Sequence, residues 1–207
     1  MDMQRMAVDL LAAPGHKGLL GPLGTGILAV GSRAAKRIVP IFQGGTGTTS
    51  ESLDHPTDWP QRLESGNPNY AAIAGLAAGV AWIRSHGVET IEATLHALTT
   101  HFFQRFRTVG LSDRARIVGP DETCRRTGVV SLAIEGYDPQ EIAILLDQLE
   151  PRIQTRAGLH CAPLVHQTCG TFERGGTLRL SWGPLTTTAE LDQAIAALAE
   201  ILGEPLA

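Results

Sequence analysis

The sequence predicts a layered α/β fold, and three observations carry that reading. Short apolar runs rich in β-branched residues, such as Gly128–Glu135 and Thr177–Trp182, are bounded by turn formers. Longer segments with helical periodicity and cap residues lie between them, the last being Ala189–Leu202. The two kinds alternate from about residue 100 to the end, which is the order that stacks helices on a sheet.

Taken in order, Met6–Ala12 reads as a buried strand, followed by a turn at Pro14 and Gly15 and a second strand over Gly24–Val30. Apolar runs this short, between glycines and prolines, suit strands of a sheet covered on both faces. Residues 31–37 are basic and expected to be exposed, and residues 43–69 are a long loop of turn formers (GGTGTTS, DHPTDWP, SGNPN). From Tyr70 the segment AAIAGLAAGVAWI is apolar on nearly every face, which predicts a buried helix closed near Gly87. A longer amphipathic helix is expected over Val88–Val109, then strands at Arg116–Val118 and Gly128–Glu135. Asp138, with Glu141 three residues on, reads as a capping box that opens a helix to about Leu149. Further strands are expected at Ile153–Ala157 and Thr177–Trp182, and Thr188 is expected to cap the closing helix.

The bulk composition narrows the function. At 207 residues and 43% apolar content, the chain can bury one sizeable core or two small ones. A formal charge of −4 and a pI near 6.0 give no footprint for nucleic acid. The longest nearly uncharged apolar stretch, Tyr70–Ile83, falls short of the roughly 20 residues that span a bilayer. Cys124, Cys161 and Cys169 lack metal-ligand spacing, and MDMQRMAVDL lacks the features of a signal peptide, so the expected setting is cytoplasmic, with no metal and no membrane.

Four stretches carry chemistry. Lys17, in Gly15-His16-Lys17-Gly18, reads either as a surface lysine on a turn or as a desolvated Schiff-base nucleophile. The loop Gly44-Gly45-Thr46-Gly47-Thr48-Thr49 reads either as a plain flexible loop or as a cradle for a phosphate through backbone N–H groups, and no lysine follows as in a P-loop. In RAGLHCAP, Cys161 stands beside His160 and near Arg156, so it reads as a thiolate nucleophile or as a small buried apolar residue. Cys124 and Cys169 read as structural. Arg179, in an otherwise apolar strand, either clamps a carboxylate through its fork or sits on the outward face.

The order of these stretches resembles cysteine desulfurases and their class V aminotransferase relatives along essentially the whole chain. Gly-His-Lys followed by GLLGPLGTGILAV is similar to the segment with the cofactor-bearing lysine. FQGGTGTTS resembles the loop that reaches the cofactor phosphate of the neighbouring subunit. RLESGNPNYAAIAGLAAGVAWI resembles the turn into the long inter-domain helix. RAGLHCAP resembles the loop with the nucleophilic cysteine, and TLRLSWGPLTTTAELDQAIAAL the closing strand and helix.

The resemblance implies a partial PLP fold-type-I transferase. Residues 1–70 would be the tail of the large mixed-sheet domain that binds pyridoxal 5'-phosphate. Residues 71–207 would supply the inter-domain helices and the small C-terminal α/β domain. Lys17 and Cys161 would be catalytic. His16, Lys17, Gly45 and Thr46 would contact the cofactor, and Arg179 with Arg156 the substrate carboxylate. The implied reaction converts L-cysteine to L-alanine and leaves a persulfide on Cys161. The implied partners are the amino-acid substrate, a second copy of the chain and a sulfur-acceptor protein.

Two departures mark this sequence. Leu159 stands where sulfur-mobilising relatives often carry the first of two histidines, and the segment between Cys161 and Arg179 is longer than in some relatives. The family's ring-stacking aromatic and ring-nitrogen aspartate precede the lysine strand, and Asp9, at the start of that strand, does not replace the aspartate. The chain is therefore expected to be an incomplete and inactive fragment. The alternatives are another class V transaminase or lyase activity, or a non-catalytic C-terminal remnant that dimerises or binds a partner.

Overall fold

The computed structural model describes residues 2–120, 123 and 126–203. The chain forms two compact units, Met1–Val88 and Glu89–Ala207.

The first unit opens with an antiparallel pair, β1 (Leu10–Pro14) and β2 (Gly26–Val30), in which Leu10 faces Val30 and Pro14 faces Gly26. β1 starts later than the apolar run suggests because local turns claim the preceding backbone. The Asp2 carboxylate accepts from the Gln4 and Arg5 N–H groups, and Met6, Ala7 and Val8 donate back to Asp2, Gln4 and Met3. β2 starts at Gly26 because Gly24 is left-handed, at φ 79°, and the Thr25 hydroxyl donates to Pro22 O at 2.6 Å. These strands are not covered on both faces within the unit: Leu10, Ile27 and Leu28 are all exposed.

A short α1 (Ser32–Ala35) follows, then the long loop, and then α2 (Tyr70–His86). The Asn69 side chain caps α2 by accepting from Ala72 N–H, and Gly87 closes it. α2 is less buried than its composition predicts, since only Leu76 is fully enclosed.

The second unit is a four-stranded antiparallel sheet in the order β3-β4-β6-β5, built from β3 (Ala115–Val118), β4 (Val129–Ile134), β5 (Arg156–Gly158) and β6 (Thr177–Ser181). Its helices are α3 (Val88–Thr108), α4 (Pro139–Asp147), α5 (Pro163–Thr168) and α6 (Thr188–Ile201). Alternation along β4 and β6 sends Val130, Leu132, Ile134, Leu178 and Leu180 into one core with Phe102 and Phe106 of α3, Ile142 and Leu146 of α4, and Ile195 and Leu198 of α6. Trp182 completes it. Its ring lies 5.1 Å from Phe102, and its indole N–H donates to the buried Thr99 hydroxyl at 3.3 Å.

The caps differ in detail from the expectation. Asp138 caps α4 through Gln140 N–H at 2.8 Å, with Pro139 at the helix start. The capping box falls on α6 instead, between Thr187 and Glu190, one residue earlier than the predicted Thr188. β5 begins at Arg156 rather than Ile153, because Ile153 N–H is taken by Leu146 O and its side chain packs against the core. The six-residue α5 has no side-chain cap and no apolar period, so nothing in the sequence announced it.

Phe102 is fully enclosed between Phe103, Phe106 and Trp182. A Phe102→Ala chain is expected to lose about 3–5 kcal/mol of stability, the usual range for emptying such a site. Denaturant unfolding followed by tryptophan fluorescence measures this loss.

Candidate functional site

Lys17 sits in the first unit, on the turn that leaves β1. Gly15 is the buried base of this turn: its N–H donates to Thr25 O at 2.8 Å and its carbonyl accepts from Gly21 N–H at 2.8 Å. A Cβ at Gly15 would run into the Thr25 hydroxyl, so the tight closure requires glycine. The turn then rests on α2, where a Cβ at Gly79 would meet Leu19 O at 2.6 Å and one at Gly75 would meet the Pro22 ring at 2.7 Å. On this fixed base His16 and Lys17 are exposed; Lys17 O accepts from Leu20 N–H at 3.0 Å, and neither side chain has a hydrogen bond or ion pair among the described residues. The sequence holds two lysines, Lys17 and Lys36.

The loop carrying Gly45 and Thr46 belongs to the same unit. With Thr49, Ser50, Ser52 and His55 it borders a hollow of about 570 Å³. The Thr46 and Thr48 hydroxyls lie 2.8 Å apart, and Gly45 O accepts from Gly66 N–H at 2.7 Å, which ties the two ends of the loop together. A Cβ at Gly44 or Gly45 would meet nothing within 4 Å, so the backbone there is open to close approach. Two residues that sequence reading passed over pin this loop. His55 Nε2 is 3.1 Å from Arg62 O, and Arg62 donates to Ile38 O at 2.8 Å with its guanidinium 5.2 Å over the Trp59 ring.

The second unit brings Cys161, Arg156 and Arg179 to one edge of the sheet. β5 is the edge strand, and its register sets Arg156 opposite Arg179, Ala157 opposite Leu178, and Gly158 opposite Thr177. Directly opposed residues project to the same face, so the two guanidinium groups share the face away from the core, in a row with Ser131. Like charges in that relation repel, and Arg179 Nε is buried without a hydrogen-bond partner. An anion bound between the two arginines would answer both problems, and a carboxylate matches the fork of a guanidinium.

Cys161 follows this edge strand and is exposed. His160 and Cys161 both take left-handed backbone angles, φ 50° and 60°, which cost about 1–3 kcal/mol for each non-glycine residue. The conformation is held from both sides. His160 Nε2 donates to Thr177 O at 3.1 Å and lies 3.2 Å from the Thr177 hydroxyl, while Ala162 N–H donates to Leu159 O at 2.8 Å.

The carbonyl can only accept, so the proton sits on Nε2, and Nδ1 is left buried without a partner. Burial, and then the charge of Arg179, push the His160 pKa below its ordinary value, with His166 and Arg156 adding to the effect against the Thr177 bond. His166 itself is buried on α5, its Nδ1 2.8 Å from the Thr171 hydroxyl and its ring 5.8 Å from that of His160. Thr177, His166 and Thr171 escape sequence reading because their roles depend on which strands pair. Cys169 is half-buried, with its carbonyl accepting from Arg116 at 3.3 Å, and Cys124 lies outside the described residues. Among the described residues no cluster has the make-up of a metal site, and no helix is long and apolar enough to cross a membrane.

The family model described as aminotransferase class-V matches residues 1–194. A probable cysteine desulfurase of Pyrococcus abyssi is 31% identical over 206 residues, which cover 98% of this chain and 49% of that one. The apo structure of the cysteine desulfurase of Thermococcus onnurineus NA1 matches with a TM-score of 0.82 at 28% identity, over 97% of this chain and 48% of that one. The crystal structure of the cysteine desulfurase CsdA (S-sulfonic acid) of Escherichia coli matches with a TM-score of 0.79 at 27% identity, over 98% and 48%. The chain therefore has the mixed α/β fold of about half of a cysteine desulfurase, and it spans about half the length of the curated relatives it matches.

The opposed arginines make a direct prediction. In chloride, Arg156→Gln is expected to leave stability unchanged or raise it by up to about 1 kcal/mol, because it removes a like-charge pair. Replacing chloride by acetate at equal ionic strength is expected to raise the unfolding midpoint of the unaltered chain and not that of Arg179→Gln. Thermal unfolding in the two salts reads both effects.

Proposed function

The chain belongs to the aminotransferase class-V family, and from that membership we propose that it carries the lysine, cysteine and carboxylate-binding parts of a pyridoxal-phosphate-dependent cysteine desulfurase. The observation that carries the reading is the edge of the second sheet. There Arg179, with its buried and unpartnered Nε, faces Arg156 on the strand that leads into the Cys161 loop.

The residues present fit pyridoxal 5'-phosphate. Lys17 offers an exposed amine without a partner among the described residues, on a turn whose base is fixed. Gly45 and Thr46 offer an open backbone and a hydroxyl, donors of the kind a phosphate takes. In this reading Lys17 and His16 hold the cofactor, and Gly45 and Thr46 serve the phosphate of the neighbouring subunit in a homodimer. When bound, the cofactor supplies an electron sink for charge released at the substrate Cα.

The chain's own side chains do the rest. Arg179, seconded by Arg156, accepts the α-carboxylate of cysteine and fixes its orientation. The amine of Lys17 moves the proton at Cα as general base and acid. The Cys161 thiolate attacks the substrate sulfur: a sulfur–sulfur bond forms as the Cβ–Sγ bond breaks. The released electron pair is left on the carbon skeleton, which takes up a proton and departs as alanine. Cys161 keeps the sulfur as a persulfide, which a sulfur-acceptor protein then removes. Its nucleophile is the thiolate, and a reducing, cytoplasmic setting keeps the thiol free.

Residues 1–70 are assigned in this proposal to the tail of the cofactor-binding domain and residues 71–207 to the inter-domain helices and small domain. Because the chain spans about half of its relatives, turnover is proposed for the whole protein, and the 207 residues on their own are proposed to be inactive.

The test uses the whole protein with pyridoxal phosphate, borohydride reduction and peptide mapping. Within this chain the label is expected on Lys17 and not on Lys36, and it is expected to disappear in Lys17→Ala. Cys161→Ala is expected to abolish sulfur transfer from L-cysteine. A label on Lys36, or on neither lysine, overturns the cofactor assignment. Undiminished turnover by Cys161→Ala points instead to another class V transamination or lyase reaction.

A further inference from the structure

The His160 side chain has no place in the chemistry above, yet it is the most constrained group around Cys161. Nothing else at this edge ties the Cys161 loop to β6 by a side chain: among the described residues the tie is His160 Nε2–H to Thr177 O, with the Thr177 hydroxyl alongside. The two residues it holds, His160 itself and Cys161, are the consecutive left-handed non-glycine pair. Its other nitrogen, Nδ1, is buried and meets no donor.

We propose that neutral His160 is a latch on the Cys161 loop: the Nε2–H bond to Thr177 holds Cys161 in its left-handed conformation, and uptake of a proton at Nδ1 releases the loop. The latch is a positioning device. It matters to catalysis only if Cys161 is the nucleophile, so this inference rests on the proposed function.

The direction follows from what surrounds the ring. The charged or titratable groups acting on His160 are Arg179 on β6, Arg156 on β5 and His166 on α5, and all three are bases. A proton at Nδ1 would create a buried N–H with no acceptor, beside two guanidinium groups. Swinging the ring into water avoids that arrangement, at the loss of the Thr177 bond and with relief of the left-handed backbone.

The sign is fixed by the lowered pKa. The released ring binds a proton at its ordinary value near 6.5, and the latched ring only at lower pH. The latch is therefore complete above about pH 6.5 and weakens as pH falls through that value toward the lower one. A carboxylate on Arg179 offsets part of the charge that keeps His160 neutral, so substrate binding loosens the same latch from the arginine side.

The test is a pH titration of the full chain by NMR, and it needs neither cofactor nor cysteine. The His160 ring signals are expected to show the Nε2–H tautomer and a midpoint below 6.5, with the Cys161 and Ala162 amide signals moving at the same midpoint. In His160→Gln, whose neutral amide can still donate to Thr177 O, the amide signals are expected to keep their high-pH positions and lose the inflection. In Arg179→Gln the His160 midpoint is expected to rise. A midpoint at or above 6.5, or Cys161 and Ala162 amides indifferent to the His160 titration, overturns the latch. The unsubstituted chain decides this even if a variant fails to fold. Failure of the desulfurase reading would appear elsewhere, as turnover that survives Cys161→Ala.

Discussion

The pairing of β5 with β6 is the constraint on which the candidate chemistry of the second unit depends. β5 is an edge strand of three residues, and its register cannot slip freely. β6 is held by β4 with Leu178 fully buried and Arg179 on the other face, so a one-residue slip of β5 would turn Arg156, which opposes Arg179, toward the apolar interior. Once Leu178 is fixed, Arg156 must oppose Arg179 and Gly158 must oppose Thr177. The second contact needs glycine at 176, since a Cβ there would run into Gly158 O, while Gly158 is left-handed at φ 106°. The cysteine loop leaves the sheet from that point, and its anchor His160 reaches back to Thr177. A stable apolar core thus determines where an exposed thiol and two cations sit, although none of the three belongs to that core.

The costs at this edge are concentrated rather than spread. Two left-handed residues, two opposed arginines, an unpartnered guanidinium nitrogen and an unpartnered imidazole nitrogen fall within β5, β6 and the loop between β5 and α5. The Phe102, Trp182 and Ile195 core is made of ordinary apolar contacts and satisfied hydroxyls. Within the second unit the left-handed non-glycine residues among those described are gathered at this edge beside a relaxed core, an arrangement suited to binding or chemistry there. The first unit follows the same logic more mildly. Its lysine turn is closed by Gly15 and seated against Gly75 and Gly79 of α2, which leaves Lys17 projecting from a rigid base.

The sequence was a good guide wherever a single period or cap decides the outcome. α3 and α6 follow from their apolar spacing, β4 from its β-branched run, and the start of α4 from Asp138 before Pro139. It misled where a local hydrogen bond overrode composition, as at residues 2–8, where an aspartate-led turn takes the backbone that an apolar run would give to a strand. The apolar runs of β1, β2 and α2 suit covered faces, but a run does not say what covers it, and Leu10, Ile27, Leu28 and Ile73 are exposed within their unit. Cys161 was legible as a cysteine beside a histidine and an arginine, and the order of motifs identified the family. The opposition of Arg156 and Arg179, and the roles of Thr177 and His166, were not legible. They depend on strand register and on a six-residue helix without a sequence signal.

The central claim is that sulfur from cysteine passes to Cys161. Incubating the whole protein with pyridoxal phosphate and L-cysteine, then locating added sulfur by peptide mass spectrometry, tests it most directly. The account predicts one added sulfur on Cys161 for each alanine formed in a single turnover, removable by thiol reductant. Alanine formed with no sulfur on Cys161, sulfur on Cys169 instead, or no alanine at all would contradict it.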